Sequence, residues 1–385
     1  MIQASREFDE RMMRRAIELA MRGRGRVEPN PMVGAVIVKN QRVIGEGFHA
    51  HFGGPHAEPS ALAAVTDSPH GATAYVTLEP CCHTNKKTPP CVPALINAKI
   101  ARVVVGCVDP NPDVNGKGLD QLRAAGIEVE VNVLEDPAKQ LLAPFVAQTV
   151  YERPYVTLKW AESADGKVAG PDGKPMQISN PRATHAMHEL RGRCDAIMVG
   201  IGTVLCDDPL LTPRDVPQPR KLLRCVLDSQ LHIPMESKLV RTARMPDRVF
   251  VFHDRRLTEV EKDKIAALAK ENVQPFMVER RFDGLNLNEV LQPLAHFGAA
   301  HVLVEAGPTL ARGFFDQQTL ADRVWVIRSS QLINDPTAPA ASEIPANFIK
   351  TGEIDLDGDR LSEYLNPNSP VFFAAEKSAD LLLAG

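Results

Sequence analysis

Three short motifs in the first half of the chain combine residue types that can bind and use a metal ion. His56-Ala57-Glu58 stands at the head of a helical pattern, and the cysteines of Pro80-Cys81 and Pro90-Cys91 follow the histidine by 25 and 35 residues. One imidazole and two thiolates suit a zinc ion, whose catalytic sites hold three protein ligands and leave a fourth position for water. A His-x-Glu motif followed by Pro-Cys pairs is typical of sites where zinc activates water for attack on an amidine-like carbon.

The carboxylate in this pattern predicts acid–base chemistry. While the imidazole and the two thiolates hold the metal, Glu58 would take a proton from the water and deliver it to a ring nitrogen and the leaving amine. A structural zinc site with Cys82 or His83 as a fourth ligand is the alternative. That alternative gives no reason for a carboxylate two residues after a histidine at the start of a helix, so we favour a catalytic site.

The composition limits the class of protein. The chain has 385 residues, which is more than one ordinary domain, so two domains are expected. Hydrophobic residues make up 44% and charged residues 24%, as in globular proteins. Residues 1–150 contain 16 basic and 16 acidic side chains, and the whole chain has a net charge of -4. Because neither half has a basic excess, we expect no nucleic-acid partner.

The cysteines and the N-terminal residues indicate a cytoplasmic protein without a membrane segment. Seven cysteines are an odd number in a chain long enough to build a core, so no disulfide framework is expected. No apolar run approaches the roughly 18–20 residues that span a bilayer. The N-terminal stretch is charged throughout and lacks the apolar centre of a signal peptide.

Alternating helical and strand patterns surround the metal motifs. Because strands separated by helices form layered structures, residues 1–150 are predicted to be an α/β domain with a mostly parallel sheet. The predicted strands are Val33–Val38, Arg42–Glu46, Thr73–Leu78, Arg102–Cys107 and Ile127–Val133. The predicted helices begin near Phe8 and also cover Ala57–Val65, Pro90–Ala98 and Leu119–Ala125. A helix and a junction within Asp136–Pro154 mark the predicted domain boundary.

The second half repeats this alternation and adds two glycine-rich turns. The turns Val199–Thr203 and Val304–Thr309 follow strands, and their backbone N–H groups could hold the phosphates of a dinucleotide. The predicted strands are Tyr155–Trp160, Ala196–Val199, Leu222–Leu227, Arg248–Phe252, His301–Val304 and Arg323–Ile327. The predicted helices are Pro181–Arg191, Thr258–Lys270 and Pro308–Phe315. After Ser329 the pattern is too weak to predict elements.

The motifs of the first half resemble one enzyme family in particular. The matching segments are Asn30-Pro31-x-Val33-Gly34, Gly45-x-Gly47-x-His49, His56-Ala57-Glu58, Thr77-Leu78-Glu79-Pro80-Cys81, Thr88-Pro89-Pro90-Cys91 and Asp109-Pro110-Asn111-Pro112. Over about residues 8–150 the chain resembles the deaminases of the riboflavin pathway. The Thr-Pro-Pro-Cys arm separates this family from general cytidine and tRNA deaminases. The resemblance implies a cytidine-deaminase-like three-layer αβα fold.

The same resemblance implies functions for individual residues. The zinc ligands would be His56, Cys81 and Cys91, with Glu58 as the catalytic acid and base. Contacts to the pyrimidine, the ribose and the phosphate would come from Asn30, His49, Lys87, Asp109 and Asn111. The segment between the two cysteines is one residue longer than is usual in the family, which leaves Lys86 as an alternative to Lys87.

Segments of the second half resemble a dihydrofolate-reductase-like α/β reductase of the same pathway, over about residues 151–328. They are Arg153–Lys159, Ser163-x-Asp165-Gly166-Lys167, Leu190-Arg191, Asp207-Asp208-Pro209-x-Leu211-Thr212-x-Arg214, Leu227-Asp228-Ser229 and Val304–Leu310. Contacts to the phosphoribosyl group are implied for Arg191, Leu211, Arg214 and Glu305. Contacts to NADPH are implied for Ala161, Thr203, Asp207, Ser229, Gly307, Pro308 and Thr309.

One stretch departs from the reductase pattern. The family commonly has a serine on the substrate and a tryptophan on the cofactor where this chain has Pro175 and Gln177. A second half that binds without catalysing a reaction is therefore the alternative to a reductase. No residue stands out as a general acid for the hydride step, so positioning and a water are expected to suffice.

The two resemblances together imply two consecutive reactions on one chain. Residues 1–150 would use Zn²⁺ to deaminate a phosphorylated diaminopyrimidinone, and residues 151–385 would use NADPH to reduce the ribosyl group of the product to ribityl. The partner would be this small phosphorylated pyrimidine, and a homo-oligomer is implied by the family. A deaminase that edits nucleic acid is disfavoured by the charge balance and by the Thr-Pro-Pro-Cys arm.

Overall fold

The structure is a computed structural model whose described residues form two compact units. It describes residues 2–83, 88–111, 114–218, 221–244, 247–257, 259–281 and 284–373. The first unit contains residues 2–151 and the second contains residues 152–372. Each unit has its own sheet and its own hydrophobic core.

The first unit is a five-stranded sheet with helices on both faces. Its elements are α1 (Ile2–Met21), β1 (Gly34–Lys39), β2 (Arg42–Phe48), α2 (Ala57–Ala63), β3 (Thr73–Leu78), α3 (Cys91–Asn97), β4 (Arg102–Cys107), α4 (Lys117–Ala124), β5 (Glu128–Glu130) and α5 (Glu135–Thr149). The strand order is β2-β1-β3-β4-β5. Alternate side chains of the strands enter two cores, one beneath α1 and α5 and one beneath α2, α3 and α4. The result is the expected three-layer αβα arrangement.

The prediction of a mostly parallel sheet is wrong for this unit. Strand β1 pairs antiparallel with both β2 and β3, and only the β3–β4 and β4–β5 pairs are parallel. The reason for the first antiparallel pair is local. Asn40 and Gln41 both have positive φ, at 50° and 60°, which is the backbone of a two-residue hairpin turn. Strand β5 is also shorter than the predicted Ile127–Val133.

Two glycines allow the helix that begins after His56, a predicted metal ligand, to lie directly on the sheet. A Cβ at Gly45 would lie 2.5 Å from the Ala61 carbonyl oxygen, and a Cβ at Gly47 would lie 2.2 Å from the Ala61 nitrogen. Contacts this close are possible only without a side chain. Helix α2 therefore packs directly on β2. This contact fixes the position of the first turn of α2, which contains Glu58.

The second unit is a nine-stranded sheet between two layers of helices. Its strands are β6 (Tyr155–Glu162), β7 (Ala196–Gly200), β8 (Leu223–Leu227), β9 (Val249–Asp254), β10 (Val273–Val278), β13 (His301–Glu305), β14 (Arg323–Arg328), β15 (Ile349–Leu356) and β16 (Asp359–Leu365), and β11 (Arg280–Arg281) pairs separately with β12 (Gly284–Leu285). Its helices are α6 (Pro181–Arg193), α7 (Ile201–Asp207), α8 (Lys238–Arg241), α9 (Lys262–Lys270), α10 (Leu287–His296) and α11 (Pro308–Asp316). Short 3-10 turns occupy Pro171–Gly173 and Arg255–Leu257.

The sheet order of the second unit brings distant strands together. The order is β10-β9-β8-β7-β13-β6-β14-β16-β15, and all pairs from β10 to β14 are parallel. The carboxyl ends of β6, β7, β8 and β13 consequently lie along one edge, where ligands of open α/β sheets bind. The two final pairs are antiparallel.

Several elements of the second unit were not predicted from the sequence. The antiparallel hairpin β15–β16 lies in the segment that carried no clear pattern, yet its turn is Asp357-Gly358 with φ of 56° and 97°. An Asp-Gly pair is a strong hairpin signal, so this turn could have been recognised. Helix α10 and strand β10 were also missed, and α9 begins at Lys262, later than predicted.

Among the described residues, no helix combines the length and the apolar character needed to cross a membrane.

Replacing Gly47 by Ala should loosen α2 from β2. The added Cβ would meet backbone atoms of Ala57 and Ala61 at 2.7 and 2.2 Å, and overpacking of this kind costs about 1–3 kcal/mol. Hydrogen exchange of the α2 and β2 amides measures the effect and should accelerate. Gly313→Ala is the control, because its Cβ would meet only Leu287 at 3.9 Å. Unchanged exchange in Gly47→Ala would show that the contact does not hold the helix.

Candidate active sites

Three elements of the first unit bring the predicted metal ligands together. His56 is the residue that caps the N-terminus of α2, Cys81 follows β3, and Cys91 begins α3. The His56 Nδ1 atom lies 3.5 Å from the Cys81 sulfur and 3.4 Å from the Cys91 sulfur. All three ligand atoms lie within 4.8 Å of one another.

Neighbouring groups fix the orientation of these ligands. The Cys91 backbone N–H donates to the Cys81 carbonyl oxygen at 3.0 Å, which holds the two cysteine arms together. The Thr88 hydroxyl lies 3.0 Å from the Nε2 atom of His56. Because Nε2 has this partner, the Nδ1 atom that faces both sulfurs is free to bind a metal. Metal-binding histidines commonly have their second nitrogen held in this way.

The donor set fits a catalytic zinc ion. One nitrogen and two sulfurs leave a fourth tetrahedral position for water. The hydrogen bond with Cys81, together with burial, holds the pKa of the Cys91 thiol far above its usual range. Two adjacent buried thiols therefore need a cation to ionise together. Neither Cys82 nor His83 belongs to the group, as far as the described residues extend, so the fourth ligand of a structural site is not found there.

Glu58 lies in the first turn of α2 and is buried, with 3% of its surface exposed. Burial, followed by the nearby Cys81, raises the pKa of its carboxyl to about 7. A carboxyl in this range can both accept and return a proton near neutral pH. Its position two residues after His56, in the first turn of α2, is the arrangement that the sequence motif predicted.

Asn30 and His49 lie beside the metal group. The Asn30 amide nitrogen is 3.1 Å from His49 Nε2, and His49 Nδ1 is 2.9 Å from the Pro55 carbonyl oxygen. Burial lowers the pKa of His49, so the ring is neutral, donates from Nδ1 and accepts at Nε2. The ring centroids of His49 and His56 are 5.4 Å apart.

Asp109 and Asn111 lie in the loop after β4, and Glu79 holds this loop. The buried Glu79 carboxylate accepts hydrogen bonds from the backbone N–H groups of Asp109 at 3.2 Å, Gly116 at 2.9 Å and Gly118 at 2.9 Å. The Asn111 N–H donates to the Asp109 carboxylate at 2.8 Å. Glu79 therefore ties this loop to the arm that carries Cys81. Glu79 belongs to the Thr77–Cys81 motif, but the motif alone predicted no function for it.

The predicted phosphate contact Lys87, and its alternative Lys86, lie outside the described residues.

A large pocket occupies the carboxyl edge of the sheet in the second unit. Its volume is about 1240 Å³, and its wall includes the ends of β6, β7, β8 and β13. Every reductase residue predicted from the sequence lines it: Ala161, Arg191, Thr203, Asp207, Leu211, Arg214, Ser229, Glu305, Gly307, Pro308 and Thr309. The structure thus gathers residues that are up to 148 positions apart in the chain.

The glycine-rich turns form a cradle in this pocket. A Cβ placed on Gly200, Gly202 or Gly307 would meet no atom within 4 Å, so each glycine faces open space. Gly307 caps the N-terminus of α11, and Pro308 occupies its first turn. Free N–H groups at such a helix start bind phosphate. The cradle and the size of the pocket fit a dinucleotide.

The two predicted arginines have different partners. Arg191 forms a bidentate pair with Glu305 at 2.5 and 2.7 Å and also donates to the Thr212 carbonyl oxygen at 3.1 Å. Although burial alone would raise it, the charge of Arg191 brings the pKa of Glu305 below its usual value. Arg214 donates from Nε to His188 Nε2 at 3.2 Å. Burial, with the charges of both arginines, lowers the pKa of His188 to about 4 and keeps it a neutral acceptor.

Lys159 is a pocket residue that the sequence analysis missed as a candidate. It lies on β6 directly opposite Glu305 on β13 in the parallel register. Burial lowers the pKa of its ammonium group, while Glu305 opposes this shift. A lysine inside the otherwise apolar run Tyr155–Trp160 was the signal that could have identified it, because a buried lysine needs a partner.

The stretch that departs from the family pattern also lines the pocket. Pro175, Met176 and Gln177 all contribute to its wall. The Gln177 side-chain amide donates to the Ser179 carbonyl oxygen at 2.7 Å and to the Thr184 hydroxyl at 3.2 Å. This amide therefore fixes the wall of the pocket instead of offering an aromatic ring.

A zinc-deaminase site on one α/β unit and a dinucleotide pocket on another define a two-activity enzyme, a deaminase joined to a reductase. Comparison with known proteins agrees with this class. Residues 6–107 match the cytidine and deoxycytidylate deaminase zinc-binding region, and residues 154–337 match the RibD C-terminal domain. The chain belongs to the RibD family of riboflavin biosynthesis proteins.

Individual relatives cover most of the chain. The riboflavin biosynthesis protein RibD of Aquifex aeolicus is 41% identical over 317 residues, which are 81% of this chain and 86% of the relative. The Escherichia coli protein is 38% identical, over 84% of this chain and 88% of the relative. Solved structures of Acinetobacter baumannii RibD and of a Thermotoga maritima deaminase/reductase are each 35% identical, with TM-scores of 0.77 and 0.78. Each match covers 94% of this chain and 99% of the chain in the solved structure.

These findings confirm the resemblances drawn from the motifs. The first unit is cytidine-deaminase-like, and the second is the reductase unit with a dihydrofolate-reductase-like α/β fold. The chain is a zinc-dependent deaminase and an NADPH-dependent reductase.

Replacing Cys81 by Ser should remove zinc from the purified protein, because a hydroxyl is a far weaker zinc ligand than a thiolate. Cys82→Ser is the matched control, since this neighbouring thiol is outside the group of ligands. It should retain about one zinc per chain. Elemental mass spectrometry measures both. Full zinc in Cys81→Ser, or loss of zinc in Cys82→Ser, would contradict the three-ligand set.

Proposed function

We propose that the two activities are divided between residues 1–150 and 151–385. The first part removes the 2-amino group of 2,5-diamino-6-(5-phosphoribosylamino)pyrimidin-4(3H)-one and releases ammonia. The second part reduces the ribosyl group of 5-amino-6-(5-phosphoribosylamino)uracil to ribityl. The observation that carries the first assignment is the buried Glu58 beside a group of one histidine and two cysteines. The Thermotoga maritima relative is named for both reactions.

The chain's own residues explain the deamination. Zinc, when bound, supplies a Lewis acid that lowers the pKa of water. Glu58 would take one proton of the water and pass it to the ring nitrogen, and it would then carry the second proton of the water, released as the carbonyl forms, to the amine that leaves as ammonia. Asn30 and His49 face the pyrimidine from one side of the metal group, and Asp109 and Asn111 do so from the loop held by Glu79. Lys87, or Lys86, binds the phosphate.

The reduction requires both a hydride and a proton. NADPH, when bound, supplies the hydride to C1′ of the ring-opened imine. The attached nitrogen then needs a proton, and we assign this proton to the Lys159 ammonium, whose burial makes it a better acid than a lysine in water. Glu305 lies opposite on the next strand and orients Lys159. This assignment replaces the expectation from the sequence that positioning and a water suffice.

The phosphate of the reductase substrate is assigned to the arginine side of the pocket. Arg214 lies on the pocket wall, and His188 orients its guanidinium through Nε. Arg191 adds a second positive charge, although its bidentate face is already occupied by Glu305. Leu211, which is nearly fully buried, lines the same pocket. The cofactor contacts are assigned to the cradle of glycines and to Ala161, Thr203, Asp207, Ser229 and Gly307–Thr309.

The compartment and the binding partner are proposed from the composition of the chain. We assign the enzyme to the cytoplasm, a reducing compartment, because a chain of this length with an odd number of cysteines needs no disulfide framework. Its partner is a small phosphorylated pyrimidine and not a nucleic acid, in agreement with the net charge of -4. A homo-oligomer is proposed from the family alone, and light scattering of the purified protein measures it.

Replacing Glu58 by Gln should slow ammonia release by about 10²–10⁴-fold, because the amide cannot accept and return a proton. The zinc content and the NADPH-dependent reduction of the uracil intermediate should be unchanged. An assay that follows ammonia and NADPH in parallel measures both activities. Near-normal ammonia release by this variant would remove Glu58 from the mechanism.

Replacing Lys159 by Met should slow reduction by about 10²–10⁴-fold while NADPH still binds. The reason is that the methionine fills the same space but donates no proton. Lys174→Met is the control, because that lysine is exposed and does not line the pocket. Stopped-flow NADPH oxidation with the uracil intermediate gives the rate. A rate within twofold of the unaltered enzyme would exclude Lys159 as the donor.

A further inference from the structure

We propose that Lys238 binds the 2′-phosphate of NADPH and makes the second unit select NADPH over NADH. NADPH differs from NADH only by that phosphate, so selection requires a positive group at one end of the pocket. The inference rests on the proposed assignment of the pocket to this cofactor, and it adds a specificity-determining residue that the motifs did not include.

The order of the strands sets the direction of the cofactor. The pocket runs along the ends of β8, β7, β13 and β6, which are neighbours in that order. Neighbouring strands are about 4.8 Å apart, so the end of β8 lies roughly 10 Å from β13 and roughly 14 Å from β6. The pyrophosphate belongs at the start of α11, directly after β13. The two halves of the dinucleotide then extend in opposite directions from β13.

The positions of the positively charged side chains indicate which half of the dinucleotide lies at which end of the pocket. The described cationic residues in its wall are Lys159, Arg191, Arg214 and Lys238. Lys159 and Arg191 both meet Glu305, and Arg214 meets His188, which lies on the same helix as Arg191. Since the nicotinamide must lie beside the substrate, it occupies this end. The adenosine half therefore points toward β7 and β8.

Lys238 is the remaining cation, and it lies at the adenosine end. It begins α8, which follows β8, and it shares the wall of the pocket with Ser229 and Asp207. Its backbone is fixed, because its N–H donates to the Asp208 carboxylate at 2.7 Å. Its side chain is 57% exposed, and the ammonium lies 3.9 Å from the same carboxylate. The ammonium can therefore leave this weak pair and meet a phosphate.

The acidic residue beside Lys238 explains why the cation decides selectivity. The Asp208 carboxylate would repel a dianionic 2′-phosphate, whereas a carboxylate in such a place accepts the 2′-hydroxyl of NADH. Without Lys238 the end of the pocket would thus favour NADH. With Lys238 the phosphate gains a charge-assisted contact that NADH cannot make.

The test compares binding of four probes to the zinc-replete, full-length protein. Fluorescence titration gives the Kd of NADPH and NADH, and competition gives the Kd of 2′,5′-ADP and 5′-AMP. Lys238→Met should weaken NADPH and 2′,5′-ADP by about 10–100-fold, since loss of a charged hydrogen bond has this size. NADH and 5′-AMP should change by less than about twofold. Lys238→Arg should keep the preference for NADPH.

Arg241→Met is the matched control, because Arg241 lies on the same short helix but does not line the pocket. Its four Kd values should equal those of the unaltered protein. Equal weakening of NADPH and NADH by Lys238→Met, or no weakening of either, would overturn the assignment of Lys238. If the unaltered protein binds none of the four probes, the proposed cofactor pocket is wrong, and the inference fails with it.

Discussion

Parallel pairing of strands places the ends of successive strands along one edge of a sheet, and both sites are built on such an edge. In the first unit β3 and β4 run in parallel, so Cys81 after β3 and Asp109 after β4 emerge close together. Glu79 then fastens the second loop to the first arm through three backbone N–H groups. In the second unit the ends of four parallel strands form one side of the pocket.

Burial of charge sets the chemistry at these edges. Glu58 has almost no contact with water, so the pKa of its carboxyl is raised to about 7. In the second unit Arg191 keeps Glu305 ionised despite burial, and Glu305 in turn favours the charged form of Lys159. Each of these groups can take part in proton transfer or charge pairing because burial or a charged neighbour shifts its pKa from the ordinary value. The same groups exposed to water would have ordinary values and little catalytic use.

Local sequence patterns determined the elements whose signals are themselves local. Thr73–Leu78 and Arg102–Cys107 have the predicted bounds because β-branched runs bounded by turns form strands almost wherever they occur. The direction of a strand is decided differently. The direction of β1 relative to β3 depends on the path that the chain takes through β2 and α2 before it returns to the sheet. No periodicity within Val33–Val38 contains that information. The mostly parallel sheet expected for this unit was wrong for that reason.

The sequence by itself predicted the group of His56, Cys81 and Cys91 that the structure brings together, the adjacent Glu58 and the glycine-rich turns. Zinc ligation, proton transfer and phosphate binding each demand particular residue types at short, recognisable spacings. Only the tertiary structure decided which distant residues meet. Lys159 lies opposite Glu305 through strand register, and His188 orients Arg214 across 26 residues. These contacts depend on how elements pack, and packing is a property of the whole fold that no single motif encodes.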